Sequence, residues 1–239
     1  MKRNIALILA GGTGQRLGNP LPKQYIEVEG RPIIAETLSA FEQHASVTDI
    51  VVVCQCEWMS FVEEIARKFR ITKFRACLEG GATGFDSLIS GVKGLPDMLG
   101  GLDEDAVVLV HDSVRPLVTQ TIVGDNIAMC RTKGNAITGY AINEALLQIE
   151  ADGVKGRDYT SRDRFRLAQT PHTFFLTDLR QMVDQAEKEG LQDVQSACVL
   201  AVKTKHVPLH AVPGSLYNFK ITVLEDLDIY RALLSQKLL

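Results

Sequence analysis

The run IALILA, Ile5 to Ala10, stops at a segment that places Gly11, Gly12, Gly14 and Gly18 in quick succession. An unbroken apolar run of this kind is the pattern of a parallel strand covered on both faces. Glycines directly after such a strand let the backbone approach a ligand with no Cβ in the way. The alternation then repeats. PIIAETLSAF (Pro32 to Phe41) has helical spacing with Pro32 near its start; Val47 to Cys54 reads as a second strand and Met59 to Phe69 as the next helix. A helix is expected to begin within Thr83 to Val92, followed by the strand Ala106 to Val110, a helix over Val118 to Cys130 and a strand over Asn135 to Ile142. A helix over Leu176 to Ala186, a short strand over His206 to Ala211 and a closing helix over Glu225 to Leu238 complete the pattern. Repeated βα units of this kind predict an α/β fold with a doubly wound, mostly parallel sheet, and ligands at the carboxyl ends of its strands.

Size and charge narrow the function classes. A chain of 239 residues that is 46% apolar can fill one substantial core, so a single domain over 1–239 is expected. A formal net charge of -3 argues against nucleic acid as the partner, because that affinity comes from neutralising many phosphates. No apolar run reaches the length of a membrane span, which predicts no membrane insertion and a cytoplasmic protein. The five cysteines are scattered, and C-x-C at Cys54 and Cys56 lacks a second ligand pair nearby, so all five read as structural thiols.

The segment LAGGTGQRLG is not a Walker A loop, because no Lys-Ser/Thr pair closes it. Nor is it a dinucleotide fingerprint: counting from Gly12 and Gly14, Leu17 stands where the third glycine belongs, and Asp49 precedes the second strand instead of following it. A loop wrapped around an anion fits better. Arg16 offers fixed donors to phosphate oxygens and Lys23 a mobile point charge. Downstream, Asp112 and Arg115 in HDSVRP follow a buried strand. Asp112 is suited to a cation, a ribose or substrate orientation, and Arg115 to an anion, while a local Asp112–Arg115 ion pair is the structural alternative. In NFKIT, Lys220 and Thr222 share a face if the segment is extended. An edge-strand lysine is the alternative there.

LAGGTGQRLG…PKQY, VHDSVRP (Val110 to Pro116), AQTPHTF (Ala168 to Phe174) and NFKIT (Asn218 to Thr222), in that order, resemble the cytidylyltransferases that act on methylerythritol phosphate or ribitol phosphate. The resemblance spans nearly the whole chain. It implies a Rossmann-like sheet of the nucleotide-diphospho-sugar transferase type with a protruding β-arm, included in about 137–166, that joins a homodimer. It implies that CTP and a polyol phosphate react with release of pyrophosphate, with Mg²⁺ on the triphosphate and possible ligation by Asp112. Arg16, Lys23 and Lys220 would stabilise charge; Ala10, Gly11, Gly12, Gly14, Gly80, Gly81, Ser87 and Asp112 would bind the nucleotide; Arg115, Arg162, Thr170 and Thr222 would bind the acceptor.

Two departures bear on the acceptor. Gly84 stands where methylerythritol phosphate enzymes commonly carry an arginine, and NEALL (Asn143 to Leu147) has no clear match to the usual D-T-x-K stretch. Lost polar contacts discriminate strongly between acceptors. The altered arm leans toward ribitol 5-phosphate, with 2-C-methyl-D-erythritol 4-phosphate as the alternative. A non-catalytic nucleotide-binding protein and a dinucleotide oxidoreductase are the readings from other classes.

Overall fold

The computed structural model describes residues 2–12, 21–101 and 105–235. In chain order its strands are β1 (Asn4–Leu9), β2 (Glu27–Val28), β3 (Arg31–Pro32), β4 (Asp49–Cys54), β5 (Phe74–Glu79), β6 (Val107–Asp112), β7 (Asn135–Ala141), β8 (Leu146–Ile149), β9 (Gly156–Thr160), β10 (Arg166–Phe175) and β11 (Ala211–Pro213). The helices are α1 (Ile33–Glu42), α2 (Met59–Lys68), α3 (Gly84–Met98), α4 (Gln120–Lys133), α5 (Leu176–Glu189), α6 (Ala197–Lys203) and α7 (Leu224–Ser235). Each expected helix is present, starting within a few residues of its expected first residue; the expected end of the closing helix, Leu238, lies outside the described residues. Local chemistry sets several of the helix ends: the Thr119 hydroxyl accepts from the Ile122 N–H to cap α4, and Gly134 closes the same helix at a φ of 92°.

Seven strands form one sheet in the order β11-β7-β10-β6-β1-β4-β5. β1 pairs in parallel with both β4 and β6, and β5 extends this half in parallel. β10 is antiparallel to both β6 and β7, so the sheet is mixed. The chain adds β4 and β5 on one side of β1 and then crosses to add β6 on the other. The gap between the carboxyl ends of β1 and β6 is therefore a topological switch point, where ligands bind in sheets of this type.

Alternation along β1 splits the core into two layers. Ala6 and Ile8 pack with Leu38, Val62 and Val123 of α1, α2 and α4. Ile5 and Leu7 face Val92, Leu179 and Leu200 of α3, α5 and α6. A third cluster joins Ile26, Val28 and Ile33 to Val114, Ile221, Leu227 and Tyr230, seating α7 and the Ile221 segment beside the main sheet. Among the described residues no helix is long and apolar enough to cross a membrane.

β2, β3, β5, β10 and α6 escaped the sequence pattern, and one strand was displaced. β5 is a half-exposed edge strand whose charged residues hide its alternation. β10 contains Pro171 and shifts register between Gln169 and His172, which breaks the period of two. α6 has seven residues, too few to show a helical repeat. The strand expected at His206 to Ala211 begins at Ala211, after Pro208, which has no N–H to give to a ladder. Within the 137–166 stretch for which the resemblance implies a β-arm, β8 and β9 form a separate hairpin, on which Leu147 and Tyr159 are exposed.

A buried polar cluster locks β7 and β10 under α4. The Asn126 amide donates to Thr138 Oγ1 at 2.9 Å and accepts from Thr173 Oγ1 at 3.1 Å, while Thr138 donates to the Pro171 carbonyl at 2.8 Å. Asn126→Leu keeps the branched heavy-atom skeleton but strips the Thr173 hydroxyl of its acceptor in a dry site. The expected loss is about 2–3 kcal/mol, read as a lower urea midpoint; an unchanged midpoint would show that the cluster contributes nothing.

Candidate active site

The loops at the switch point enclose an open cavity of about 410 Å³. Gly11 and Gly12 line it after β1, Asp112 and Ser113 after β6, and Lys23 and Gln24 from the turn that precedes β2. Lys220 and Thr222 close another side. Ile221 between them is fully buried in the third cluster, and its N–H donates to the Val114 carbonyl at 3.0 Å. Burying the middle residue of three sends its two neighbours to the cavity, as the NFKIT pattern predicts.

The carboxylate at the end of β6 is held from two sides. Arg115 Nε donates to Asp112 Oδ2 at 2.9 Å and Lys220 Nζ to Oδ1 at 3.0 Å. Burial by itself would raise the Asp112 carboxyl, but Lys220 and Arg115 outweigh it and hold the group well below the ordinary carboxylate range. Asp112 is therefore an anion at any physiological pH. Arg115 faces inward: its Nη1 donates to the Asn218 carbonyl at 2.7 Å, and the Asn218 amide donates to the Thr170 carbonyl at 2.9 Å. Thr170 Oγ1 accepts from the Asp112 N–H at 3.1 Å and lies 3.0 Å from His111 Nδ1. With its own proton given to Nδ1, the hydroxyl assigns the neutral His111 tautomer that donates from Nε2 to the Arg115 carbonyl, 3.2 Å away.

The opposite wall is built by close backbone approach. A Cβ on Gly11 would stand 2.7 Å from Ser87 Oγ, and one on Gly80 would stand 2.8 Å from the same atom. Ser87 donates to the Thr83 carbonyl at 3.0 Å. Thr83 and Asp86 form a reciprocal capping box at the start of α3, with Thr83 Oγ1 accepting from the Asp86 N–H and Asp86 Oδ2 accepting from the Thr83 N–H. Ala82 to Phe85 line the cavity, so the amino end of this long helix faces it, a favourable setting for an anion.

This arrangement suits a phosphorylated ligand: glycine backbone, a helix start, two lysines and a fixed carboxylate line one cavity. The family described as IspD, 2-C-methyl-D-erythritol 4-phosphate cytidylyltransferase, matches residues 4–236. The chain belongs to this family. It is 32% identical over 232 residues to the ribitol-5-phosphate cytidylyltransferase of Streptococcus agalactiae, covering 96% of this chain and 95% of that protein. It is 34% identical over 232 residues to the ribitol-5-phosphate cytidylyltransferase of Vibrio parahaemolyticus, at 97% and 95% coverage. Among solved structures, the 4-diphosphocytidyl-2C-methyl-D-erythritol synthase of Anaerococcus prevotii superposes with a TM-score of 0.82 at 24% identity, covering 98% and 96% of the two chains. The 2-C-methyl-D-erythritol 4-phosphate cytidylyltransferase of Thermus thermophilus gives 0.73 at 26% identity, covering 98% of each chain. The Rossmann-like mixed sheet and the polyol-phosphate cytidylyltransferase family are thereby shown, and the chain is an enzyme of CTP-dependent cytidylyl transfer.

Within this cytidylyltransferase, Lys23, Lys220, Gly11, Gly12, Ser87, Asp112 and Thr222 line one cavity; Ala10, Gly80 and Gly81 are not among its lining residues, Gly80 abutting Ser87 and Gly81 abutting Asp86. Arg115 and Thr170 are buried behind Asp112 and hold it; they do not line the cavity. Arg162 is exposed near the β-arm, where it donates to the Asn143 carbonyl of its own chain. Arg16 and Gly14 lie outside the described residues. Among the wall residues that sequence reasoning missed are Gln24, hidden beside the more conspicuous Lys23, and Val194 to Ser196. The latter had one signal, a serine placed to cap the short apolar run ACVLAVK, and Ser196 does cap α6 by accepting from the Val199 N–H.

Burial pushes His111 down to about 3 and His172 down to about 4. Both are neutral in the folded protein and take up a proton on unfolding below about pH 6.5. Their folded values lie below the unfolded value, so the stability they support is complete above about pH 6.5 and is lost as pH falls toward 4. Each is expected to remove about 2 kcal/mol between pH 7.5 and 5. Urea unfolding at the two pH values measures this, and equal stabilities would mean that the imidazoles are charged in the fold.

Proposed function

We propose that this protein joins CMP from CTP to the phosphate of a polyol phosphate. The observation that carries the reading is that Lys220 and Thr222 line the same cavity as Gly11, Gly12 and Lys23. An oxygen of the acceptor phosphate attacks the α-phosphorus of CTP. A new P–O bond forms, the bond from the α-phosphorus to the bridging oxygen breaks, and its electron pair leaves with pyrophosphate. The acceptor is already an anion, so no protein nucleophile is needed. Lys23, with Arg16 from the glycine segment, meets the triphosphate, and Lys220 meets the incoming phosphate; the fixed charges stabilise the transition state with little rearrangement. Gly80, Gly81 and Ser87 confine the base and ribose, and Thr222 offers a hydroxyl to the acceptor.

Mg²⁺ fits this site as a cation carried mainly by the nucleotide. Asp112 is the one carboxylate among the described lining residues, both of its oxygens already accept from cations, and no cluster of three or more His, Cys, Asp or Glu side chains occurs among the described residues. Bound Mg²⁺ supplies charge neutralisation on the triphosphate.

The two acceptors draw on different support. The matched family description and the solved synthases name methylerythritol 4-phosphate, and they weigh more for that acceptor than the lean from the arm weighed against it. The Streptococcus and Vibrio relatives name ribitol 5-phosphate, as does the NEALL departure. Pyrophosphate release with Mg²⁺ and CTP, measured with each acceptor in turn, decides between them. Release with neither would overturn the enzymatic reading in favour of a nucleotide-binding protein. Lys23→Ala and Lys220→Ala are each expected to lower kcat by about 100-fold with the fold intact; near-normal turnover in both would refute the charge arrangement.

The protein works as a homodimer in this reading, with Arg162 of one arm reaching the acceptor in the other subunit's cavity. Exposed Leu147, Ile149, Tyr159 and Leu167 on and beside the hairpin supply an apolar surface for that contact. Mixing Lys23→Ala chains with Arg162→Ala chains then leaves one complete site in each mixed dimer. After subunit exchange, activity should recover to about a quarter of wild type from statistical pairing. No recovery would place Arg162 with its own cavity or with none.

A further inference from the structure

We propose that Gln24 is a positioning residue that sets the orientation of the Ala10–Gly12 segment for the nucleotide. The inference rests on the cytidylyl-transfer reading of the same cavity. Gln24 is 2% exposed, and its single amide nitrogen donates to two backbone oxygens, Ala10 O at 2.7 Å and Gly12 O at 2.9 Å. Both amide protons are thereby committed. A trans peptide carries its carbonyl and the following N–H on opposite sides. Turning the Ala10 carbonyl toward Gln24 therefore turns the Gly11 N–H away from it, and Gly11 is a wall of the cavity. On the other flank, a Cβ on Gly11 would stand 2.7 Å from Ser87 Oγ and force that hydroxyl to shift. Ala10 is also tied back to the sheet, its N–H donating to the Val53 carbonyl at 2.7 Å. The segment is clamped from three directions, and Gln24 is the clamp that selects which side of its first peptide meets the ligand.

The clamp is anchored as a unit with the adjacent lysine. Lys23–Tyr25 is a single tight turn, with the Tyr25 N–H donating to the Pro22 carbonyl at 2.9 Å and the Ile26 N–H to the Lys23 carbonyl at 3.2 Å. Tyr25 is buried, stacks on Trp58 at 4.6 Å between ring centroids and meets Phe61 edge-on at 5.5 Å. The aromatic anchor holds the turn, and the turn carries Lys23 and Gln24 to the cavity in fixed relation. Charge placement and loop orientation are thus set by one short segment.

The test compares wild type with Gln24→Met, which keeps the length but not the donors, and Gln24→Glu, which sets a carboxylate against the two carbonyls. Equilibrium binding of CTP is measured directly, alongside KM for each substrate and the melting temperature. The expected result is a rise of about tenfold or more in the CTP Kd and KM for both variants, larger for Gln24→Glu, with the acceptor KM unchanged. CTP binding equal to wild type in Gln24→Met overturns the positioning role while leaving the proposed function standing. A parallel loss for both substrates that tracks a lowered melting temperature also overturns it, since that is the signature of a merely structural residue. Wild-type protein that does not bind CTP overturns both readings together.

Discussion

The candidate site is organised around one carboxylate held between two cations. Asp112 ends β6 at the switch point; Arg115 reaches it from the same loop, and Lys220 from a segment 108 residues further along the chain. Removing any member would leave a partly buried charge without its partner, a costly condition in a low-dielectric setting. The surrounding groups make the arrangement specific. Asn218 receives Arg115 at its carbonyl and donates to the Thr170 carbonyl, and Thr170 in turn supports the Asp112 backbone and His111. A reactive surface of alternating charge is thereby fixed before any ligand arrives, which is what electrostatic preorganisation requires.

In the proposed reading, the glycine-lined wall of the cavity solves a different problem, bringing bare backbone close to a polyanion without letting it collapse. Small residues provide the approach, and side chains behind them provide the rigidity. Ser87 fills the space that Gly11 and Gly80 leave, and Gln24 donates to the Ala10 and Gly12 carbonyls. The capping box of Thr83 and Asp86 fixes where α3 begins and therefore where its positive end points. Flexible sequence composition is made into a stiff surface by its second layer.

Much of the parallel half was legible because β1, β4 and β6 are buried on both faces and leave long apolar runs, and because helices between them have clear periods. The antiparallel strand β10 was not, since Pro171 and the register shift near it erase alternation, and its partners β6 and β7 are set by tertiary pairing. Motif residues with formal charge, such as Lys23, Asp112 and Lys220, announced themselves. Arg115 and Thr170 were legible as important but not as inward-facing, because a motif shows chemistry and not the direction a side chain takes. Gln24 and Gln195 are neutral, and only the cavity shows where they lie. The local Asp112–Arg115 ion pair, weighed from sequence as an alternative to ligand binding, is present and sits directly behind a ligand-facing carboxylate.

The central claim is that Asp112 sets Lys220 in place for an incoming phosphate. Its most direct test is Asp112→Asn, which retains an acceptor for Arg115 but removes the charge that holds Lys220. Initial rates at varied acceptor concentration, with the melting temperature recorded on the same preparation, separate placement from folding. The account predicts a loss of about 100-fold in kcat/KM for the acceptor in a protein that still melts cooperatively. Acceptor kcat/KM within about twofold of wild type would show that the lysine is placed without the carboxylate, and the account would be wrong.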